Sequence, residues 1–449
     1  MANGTYILQD AEPSCATANA APCIPAGAQH IVVSPNGRLW DTPKNNWGPR
    51  IGLAYRLNDK TSIRSGFGIF YDQSAGITQT VQGIGGDWPA QTQLLANNLN
   101  AATAGPPTVF AANPFAGQLS ALPPASPFTQ VEWYRDPNQK NAYSEQWNFQ
   151  IQRAIGSSMV VEAGYVGSHS SRLTVGTYAN TAYTPGAGLP SSRAPYDYIT
   201  PTYYDESVGK GSYNSFQFKL EQRMSHGLQY LIAYTWSKDI DIGCSGYFSV
   251  EGCSLQNPYD LNGSRSVSAY DLPQVFSASL VYKVPSPKTD FKAVNYAVGN
   301  WELSSIFQAT SGLPYDVGVS GDIANTGNSG CCSYGYERAN LVGNPNLSNP
   351  TPAEWFNKAA FAVPAIYTFG DLGRDSLRAD RYINMDLSLV RNFPIGEQRR
   401  FQFRADLFNV ANHPVWGIPG ETLNSTQFGT ITSTRSTQRE IQFAGKIFF

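Results

Sequence analysis

The chain has 449 residues, with 31 Lys and Arg against 33 Asp and Glu, for a formal net charge of -2. Charged residues make up 14% of it, well below the roughly 25% of ordinary soluble domains, while 13% are aromatic and Gly and Pro number 41 and 30. Neither a basic stripe for nucleic acid nor an acidic solvating tail fits that balance; the lack of any apolar run of about 18 residues excludes a transmembrane helix but not a membrane barrel, whose strands mix two kinds of face.

The N-terminal stretch MANGTYILQDAEPSC lacks a basic region followed by an apolar one and does not read as a secretory signal. Residues 1–49 read as an extracellular-loop-like segment in which Thr5 to Gln9 could form a strand stub. From Arg50 onward, apolar and polar residues alternate, and successive side chains leave a strand on opposite faces. Arg50 to Leu57 and Thr61 to Tyr71 flank the turn NDK; Ser144 to Arg153 and Ser158 to Gly167 flank AIGS; Tyr213 to Arg223 and Gly227 to Ser237 flank MSH. Pro273 to Val284 and Asn300 to Thr310 follow, joined by a Pro-containing link. Two further runs begin at Tyr382 and Phe401, and Gln438 to Phe449 closes the series. About eleven strands result, each near the roughly 9 to 11 residues that cross a bilayer when tilted.

Between the hairpins lie long segments rich in Gly, Pro, Ser, Asn and Tyr: Asp72 to Tyr143, Ser168 to Ser212, Lys238 to Leu272, Ser311 to Arg381 and Val410 to Thr437. Connections of this length are uncommon in compact soluble domains. Short turns at one end and long loops at the other are the layout of an antiparallel transmembrane β-barrel.

No catalytic residue is identified: His30, His169, His226 and His413 are isolated, and no H-E-x-x-H, G-x-S-x-G or Cys/His pairing is present. Nor does any spacing predict a metal or cofactor site. Cys15 with Cys23, and Cys244 with Cys253, are close enough in loop segments for local disulfides in an oxidising compartment, with free thiols as the alternative. Cys331 and Cys332 are adjacent and could form only a strained vicinal bridge or pair elsewhere.

Charges on a lipid face would cost about 2 to 4 kcal/mol at the membrane midplane, so the alternation places Arg64, Glu162, Lys219, Glu221, Asp386, Arg404 and Asp406 toward the lumen. There they could meet a substrate or simply pair with one another. Trp88, Trp133, Tyr203, Tyr204 and Trp355 fall in the long segments and could stack on a sugar ring or peptide, or serve loop packing. In the last run, Ile441, Phe443, Ile447 and the terminal Phe449 share a face. Phe443, Ile447 and Phe449 resemble the signal read by the machinery that inserts outer-membrane barrels.

The stretches NNWGPRIGLAYRLNDKTSIRSGFGIFYD, SEQWNFQIQRAIGSSMVVEAGYVGSHSSRL, YDLPQVFSASLVYKVP, WELSSIFQATSGLPYDV and GDLGRDSLRADRYINMDLSLVRNFPIGEQRRFQFRADLFNVANHP resemble successive barrel strands of TonB-dependent outer-membrane receptors, above all the Oar-like branch. The resemblance runs from about Asn46 to Phe449. It implies a barrel of 22 strands around an N-terminal plug, often preceded by a carboxypeptidase-regulatory-like domain, with a TonB energy-transducing complex as partner. Plug and leading domain have no counterpart in this sequence, so residues 50–449 read as the C-terminal part of such a barrel. It would belong to a receptor that imports a large or scarce solute. Two rival readings stand beside it: an autonomous passive pore or adhesin, and a secreted soluble glycan-binding β protein.

Overall fold

The computed structural model describes residues 4–14, 17, 23–24, 30–38, 43–72, 133–138, 140–199, 202–242, 255–286, 290–291, 294, 298–328, 337–396 and 399–449. Eleven long strands form one antiparallel meander: β1 (Arg50–Asn58), β2 (Thr61–Tyr71), β3 (Tyr143–Ile155), β4 (Met159–Ala179), β5 (Thr202–Ser225), β6 (Leu228–Asp241), β7 (Gln274–Lys283), β8 (Trp301–Thr310), β9 (Tyr382–Ile395), β10 (Arg399–Phe408) and β11 (Glu440–Phe448). Each pairs with its neighbours in sequence. Two short additions complete the sheet, Ser266–Val267 against β6 and Trp133–Arg135 in parallel against Tyr203–Asp205 of β5. Turns of two or three residues join β1 to β2, β3 to β4, β5 to β6 and β9 to β10. At three of them the chain reverses through left-handed glycines, Gly156 (φ +62), Gly227 (φ +81) and Gly396 (φ +71), where a side chain would be strained.

Register carries the alternation coherently across the sheet. Ser62, Gln152, Glu162, Lys219, Ala233, Ser277, Gln308 and Asn384 lie opposite one another in succession from β2 to β9. One residue along, the row is Ile63, Ile151, Ala163, Phe218, Tyr234, Phe276, Ala309 and Ile383. Thus one face is polar and the other apolar, and a one-residue slip anywhere would exchange them. The apolar face is the more open one: on β3, Phe149, Ile151 and Ile155 are exposed while Asn148, Gln150 and Gln152 are half-buried. Water would select the reverse.

Two expectations need correction, and the possible strand stub takes a place of its own. β4 and β5 are not crossings of ordinary length but run 21 and 24 residues. At about 3.3 Å per residue, β5 spans roughly 80 Å. Their hairpin therefore continues past the bilayer, with register shifts between Ser171 and Val175, and Tyr203 and Tyr204 belong to a strand rather than a loop. Tyr6–Leu8 is a strand, as the stub was, but it pairs in parallel with Ile31–Val33 outside the main sheet. Finally, the long segments are not merely connectors.

They contain most of the buried core. Tyr315, Val317, Val319, Ala339, Phe356, Ala360, Phe361, Leu372, Leu377, Ala379, Leu423 and Phe428 form one hydrophobic cluster, with Ile323 and Trp355 packed against it. Every member comes from the segments after β8 and after β10. Phe356 sits edge-on to Phe361 at 5.2 Å and to Phe428 at 5.0 Å between ring centres, within the range where aromatic pairs gain from edge-to-face geometry. Backbones close up where glycine allows it, since a Cβ on Gly370 would run into the carbonyl of Arg338 and one on Gly312 into that of Ala379. The result is a folded cap at the long-connection end of the sheet.

Candidate functional site

Two surfaces bear on function, the polar wall of the sheet and the cap. On the wall, Arg64 lies opposite Gln150, and Glu162 opposite Lys219. Lys219 pairs with Glu221 at 3.2 Å and Arg404 with Asp406 at 2.7 Å, each two residues along the same strand and so on the same face. Asp386 accepts the backbone N–H of Asn409 at 2.9 Å and the side-chain amide of Asn384 at 3.0 Å. Five of the seven candidate wall charges are therefore engaged with neighbours in the wall. That is the arrangement expected of a self-paired polar lining.

The cap is held by ion pairs that reach down to the strand ends. Arg374, only 5% exposed along its side chain, pairs with Asp241 at the end of β6 and with Asp375 at 2.6 Å. The same guanidinium donates to the carbonyl of Ser264 at 3.1 Å. Arg378 pairs with Asp271, which is fully buried, and Lys238 approaches that carboxylate at 3.7 Å. Asp271 also accepts the N–H of Asp239 at 2.7 Å, so every charge taken from water here has partners.

The segment 311–381 is the hub. Gln256 donates to the carbonyl of Gly370 at 2.9 Å and accepts from the N–H of Arg338 at 2.8 Å, which ties in the segment after β6. Arg193 donates to the carbonyl of Asn325 at 2.7 Å, and the N–H of Ala182 to the carbonyl of Thr326 at 2.7 Å, which ties in the segment after β4. Glu337 is buried and accepts both the Ile323 and Ala324 N–H groups at 2.9 Å. Burial pushes its carboxyl up to about 7, and Asp322 beside it pushes the same way. Glu421 is raised to about 7 by burial and by Asp316 and Asp375, and Asp375 to about 6 mainly by burial.

Among the sequence candidates for ligand stacking, Trp355 packs on the cap core and donates its ring N–H to the carbonyl of Arg378 at 3.3 Å. Tyr204 is buried. Both therefore serve packing. The backbones of Trp133 and Tyr203 lie opposite each other, and Trp88 lies outside the described residues. Cys23 is buried and disulfide-bonded; Cys15, Cys244, Cys253, Cys331 and Cys332 lie outside the described residues. At the chain's end, Phe443 lies opposite Ala405 and stacks on Phe403 at 6.1 Å, Ile447 lies opposite Phe401, and Phe449 is 91% exposed. Among the described residues no cluster of His, Cys, Asp or Glu is suited to hold a metal.

Sequence reasoning missed the Arg374, Arg378, Asp271 and Glu337 network. Aperiodic loops give no pattern from which contacts across more than 100 residues could be read.

Among solved structures, the chain is similar to FpvA of Pseudomonas aeruginosa bound to heterologous pyoverdines, at 11% identity, with 89% of this chain and 32% of that chain covered and a TM-score of 0.44. It is similar to the outer membrane transporter YddB from Escherichia coli, at 11% identity, 89% and 40% coverage and a TM-score of 0.44. Similarity to the siderophore receptor PiuA from Acinetobacter baumannii is at 8% identity, 89% and 35% coverage and a TM-score of 0.39. The chain thus spans between about a third and two-fifths of the length of these structures. No curated protein matches it. The model of one family, the outer membrane beta barrel domain, matches residues 5–442, and the sheet has the open apolar face and polar wall that such a protein needs in lipid. The chain belongs to the outer membrane β-barrel domain family, and its place is the outer membrane.

Proposed function

We propose that residues 50–449 are the C-terminal part of the barrel of a TonB-dependent, Oar-like receptor that imports a large or scarce extracellular solute. The observation that carries this is the pair of open edges. Among the described residues β1 and β11 each pair on one side only, and every residue of β1, with nearly every residue of β11, is exposed. Because eleven strands alternate in direction, β1 and β11 run the same way. Joining them directly would make a parallel seam, whereas bacterial single-chain barrels are antiparallel with an even strand count. An odd number of further strands is needed, and a 22-stranded barrel supplies eleven. Unpaired backbone groups facing hydrocarbon cost several kcal/mol each, which disfavours the autonomous pore.

In the complete receptor, a plug would sit against Arg64, Glu162, Lys219, Glu221, Asp386, Arg404 and Asp406, and would receive energy from the TonB complex. The exposed Phe449 with Phe443 and Ile447 would be read by the barrel-assembly machinery, and the outward face would meet outer-membrane lipid. The chain acts as a transporter component and not as an enzyme. Topology tests this. In a full receptor freed of native cysteines, a cysteine at Ile366 in the cap should react with an impermeant thiol reagent on intact cells, and one at Asn58, where β1 meets the β1–β2 turn, should not. Reversed labelling would overturn the reading.

A further inference from the structure

One feature of the cap is used neither by its core nor by its ion pairs. His30 stacks on Tyr198 with ring centres 4.3 Å apart and planes 9° from parallel. Tyr198 is 5.9 Å from Tyr196. Tyr183 and Tyr259 are 4.6 Å apart, and Tyr259 donates to the carbonyl of Thr181, next to the Asn180 whose side chain holds the backbone of Tyr196. Five rings from three separate segments therefore form one ribbon. Loop packing alone does not account for it, because Tyr183 and Tyr259 are 56% and 40% exposed and His30 is exposed as well.

Three of the tyrosines are anchored from behind. Tyr198 donates its hydroxyl to the carbonyl of Gly4 at 2.8 Å and Tyr259 to that of Thr181 at 2.7 Å. The backbone of Tyr196 is clamped by Asn180, which accepts its N–H at 3.0 Å and donates to its carbonyl at 2.9 Å. With the hydroxyls of Tyr198 and Tyr259 spent on the protein, these two rings are held in place and lose little side-chain entropy on binding. Asp197 and Asp260, each next in sequence to a ribbon tyrosine, are exposed, and Asp260 keeps one oxygen on the Gly263 N–H at 3.0 Å. The guanidinium of Arg193, the basic side chain of the same segment, is spent on the carbonyls of Gly186 and Asn325.

Flat apolar faces bordered by hydrogen-bond acceptors match a ligand with an apolar C–H face and a rim of hydroxyl donors, and the carboxylates repel an anionic one. We propose that His30, Tyr198, Tyr196, Tyr259 and Tyr183 form a docking platform for an uncharged oligosaccharide, whose pyranose rings stack on the ribbon while Asp197 and Asp260 accept from its hydroxyls. That the platform faces the outside rests on the receptor reading above; its chemistry does not.

The test is calorimetric titration of the full receptor, purified in lauryldimethylamine oxide micelles whose headgroup is no sugar, with maltohexaose, cellohexaose and N-acetylchitohexaose. At least one should bind with a millimolar or tighter Kd. Tyr183→Ala should weaken it at least 5-fold and Tyr183→Ala with Tyr259→Ala at least 20-fold, while Tyr270→Ala, at an exposed tyrosine outside the ribbon, should leave it unchanged. Should the double variant fail to fold, the solvent-exposed Tyr183→Ala alone decides. Absence of binding by all three hexasaccharides, binding indifferent to Tyr183, or binding only of a proline-rich peptide tried in parallel would overturn the platform. None of these outcomes bears on the thiol-labelling result, so the two ideas fail separately.

Discussion

The wall and the cap solve opposite solvation problems with the same chain. On the wall, Phe149 is 46% exposed while the glutamines beside it are half-buried; in the cap, Phe356 is 3% exposed and sits at the centre of an aromatic cluster. Water can drive only the second arrangement, because burying apolar area gains free energy there. The first is stable where the outer solvent is itself apolar. Inverted burial on regular strands, next to ordinary burial on irregular segments, locates the boundary between lipid and water without any sequence match.

The comparison breaks most severely at the ions that hold the cap. Replacing Arg374 by alanine would leave Asp241 and Asp375 without their buried cation and the Ser264 carbonyl without its donor. Removing one member of a buried pair costs about 3 to 5 kcal/mol. The cap should then be digested by protease in detergent under conditions where it is now protected, while the sheet keeps its heat-modifiable migration on gels. If the sheet is lost together with the cap, the two regions are one cooperative unit and the distinction drawn between them is wrong.

On the wall, the two faces can be told apart by one substitution on each. Phe149→Arg puts a charge on the outward face near the middle of β3 and should cost about 2 to 4 kcal/mol of folding stability in lipid bilayers. Gln152→Arg, three residues on and opposite Ser62 and Glu162, points to the polar side and should change stability by less than about 1 kcal/mol. Equal costs in urea titrations of vesicle-folded protein would mean that the faces have been assigned wrongly.

These two regions also differ in how much of them the sequence discloses. β2 is read to the residue, Thr61 to Tyr71, because strand alternation and short turns are local signals: Ile63, Phe67 and Ile69 against Ser62 and Arg64, with a two-residue turn after Asn58. Nothing local marks the cap. Arg374 meets a carbonyl 133 residues away and Gln256 one 114 residues away, and the Gly- and Pro-rich segments that bring them together have no period to count. For the same reason position in a long segment is the only mark of a stacking candidate, and the folded chain packs Trp355 against the cap core and buries Tyr204. The ribbon of His30, Tyr183, Tyr196, Tyr198 and Tyr259 is assembled from three segments and could be seen only once they were folded together.

The smallest effect is one of pH, confined to the cap. Glu337, Glu421 and Asp375 have folded-state pKa values raised to about 7, about 7 and about 6, each mainly by burial, whereas in the unfolded chain they titrate near the ordinary carboxyl value. A group whose folded value is raised binds its proton more tightly when folded, so between roughly pH 4.5 and pH 7 the folded cap holds protons that the unfolded cap has released. Its stability should therefore fall as pH rises through that window and level off above it, opposite to the trend given by a carboxylate whose value is depressed in an ion pair. A tenfold tighter hold on one proton corresponds to about 1.4 kcal/mol, and partial solvation of the three acids reduces the sum. Hydrogen exchange of the Ile323 and Ala324 amides, which Glu337 accepts, gives the direct reading once corrected for intrinsic exchange. Opening of these amides should be on the order of 10-fold rarer at pH 5.5 than at pH 7.5. Glu337→Gln keeps the shape and removes the proton, so it should flatten that dependence while the wall amides of β3 show none in either protein. A cap that instead opens as pH falls would mean that the ion pairs of Arg374 and Arg378, and not the buried acids, govern its stability.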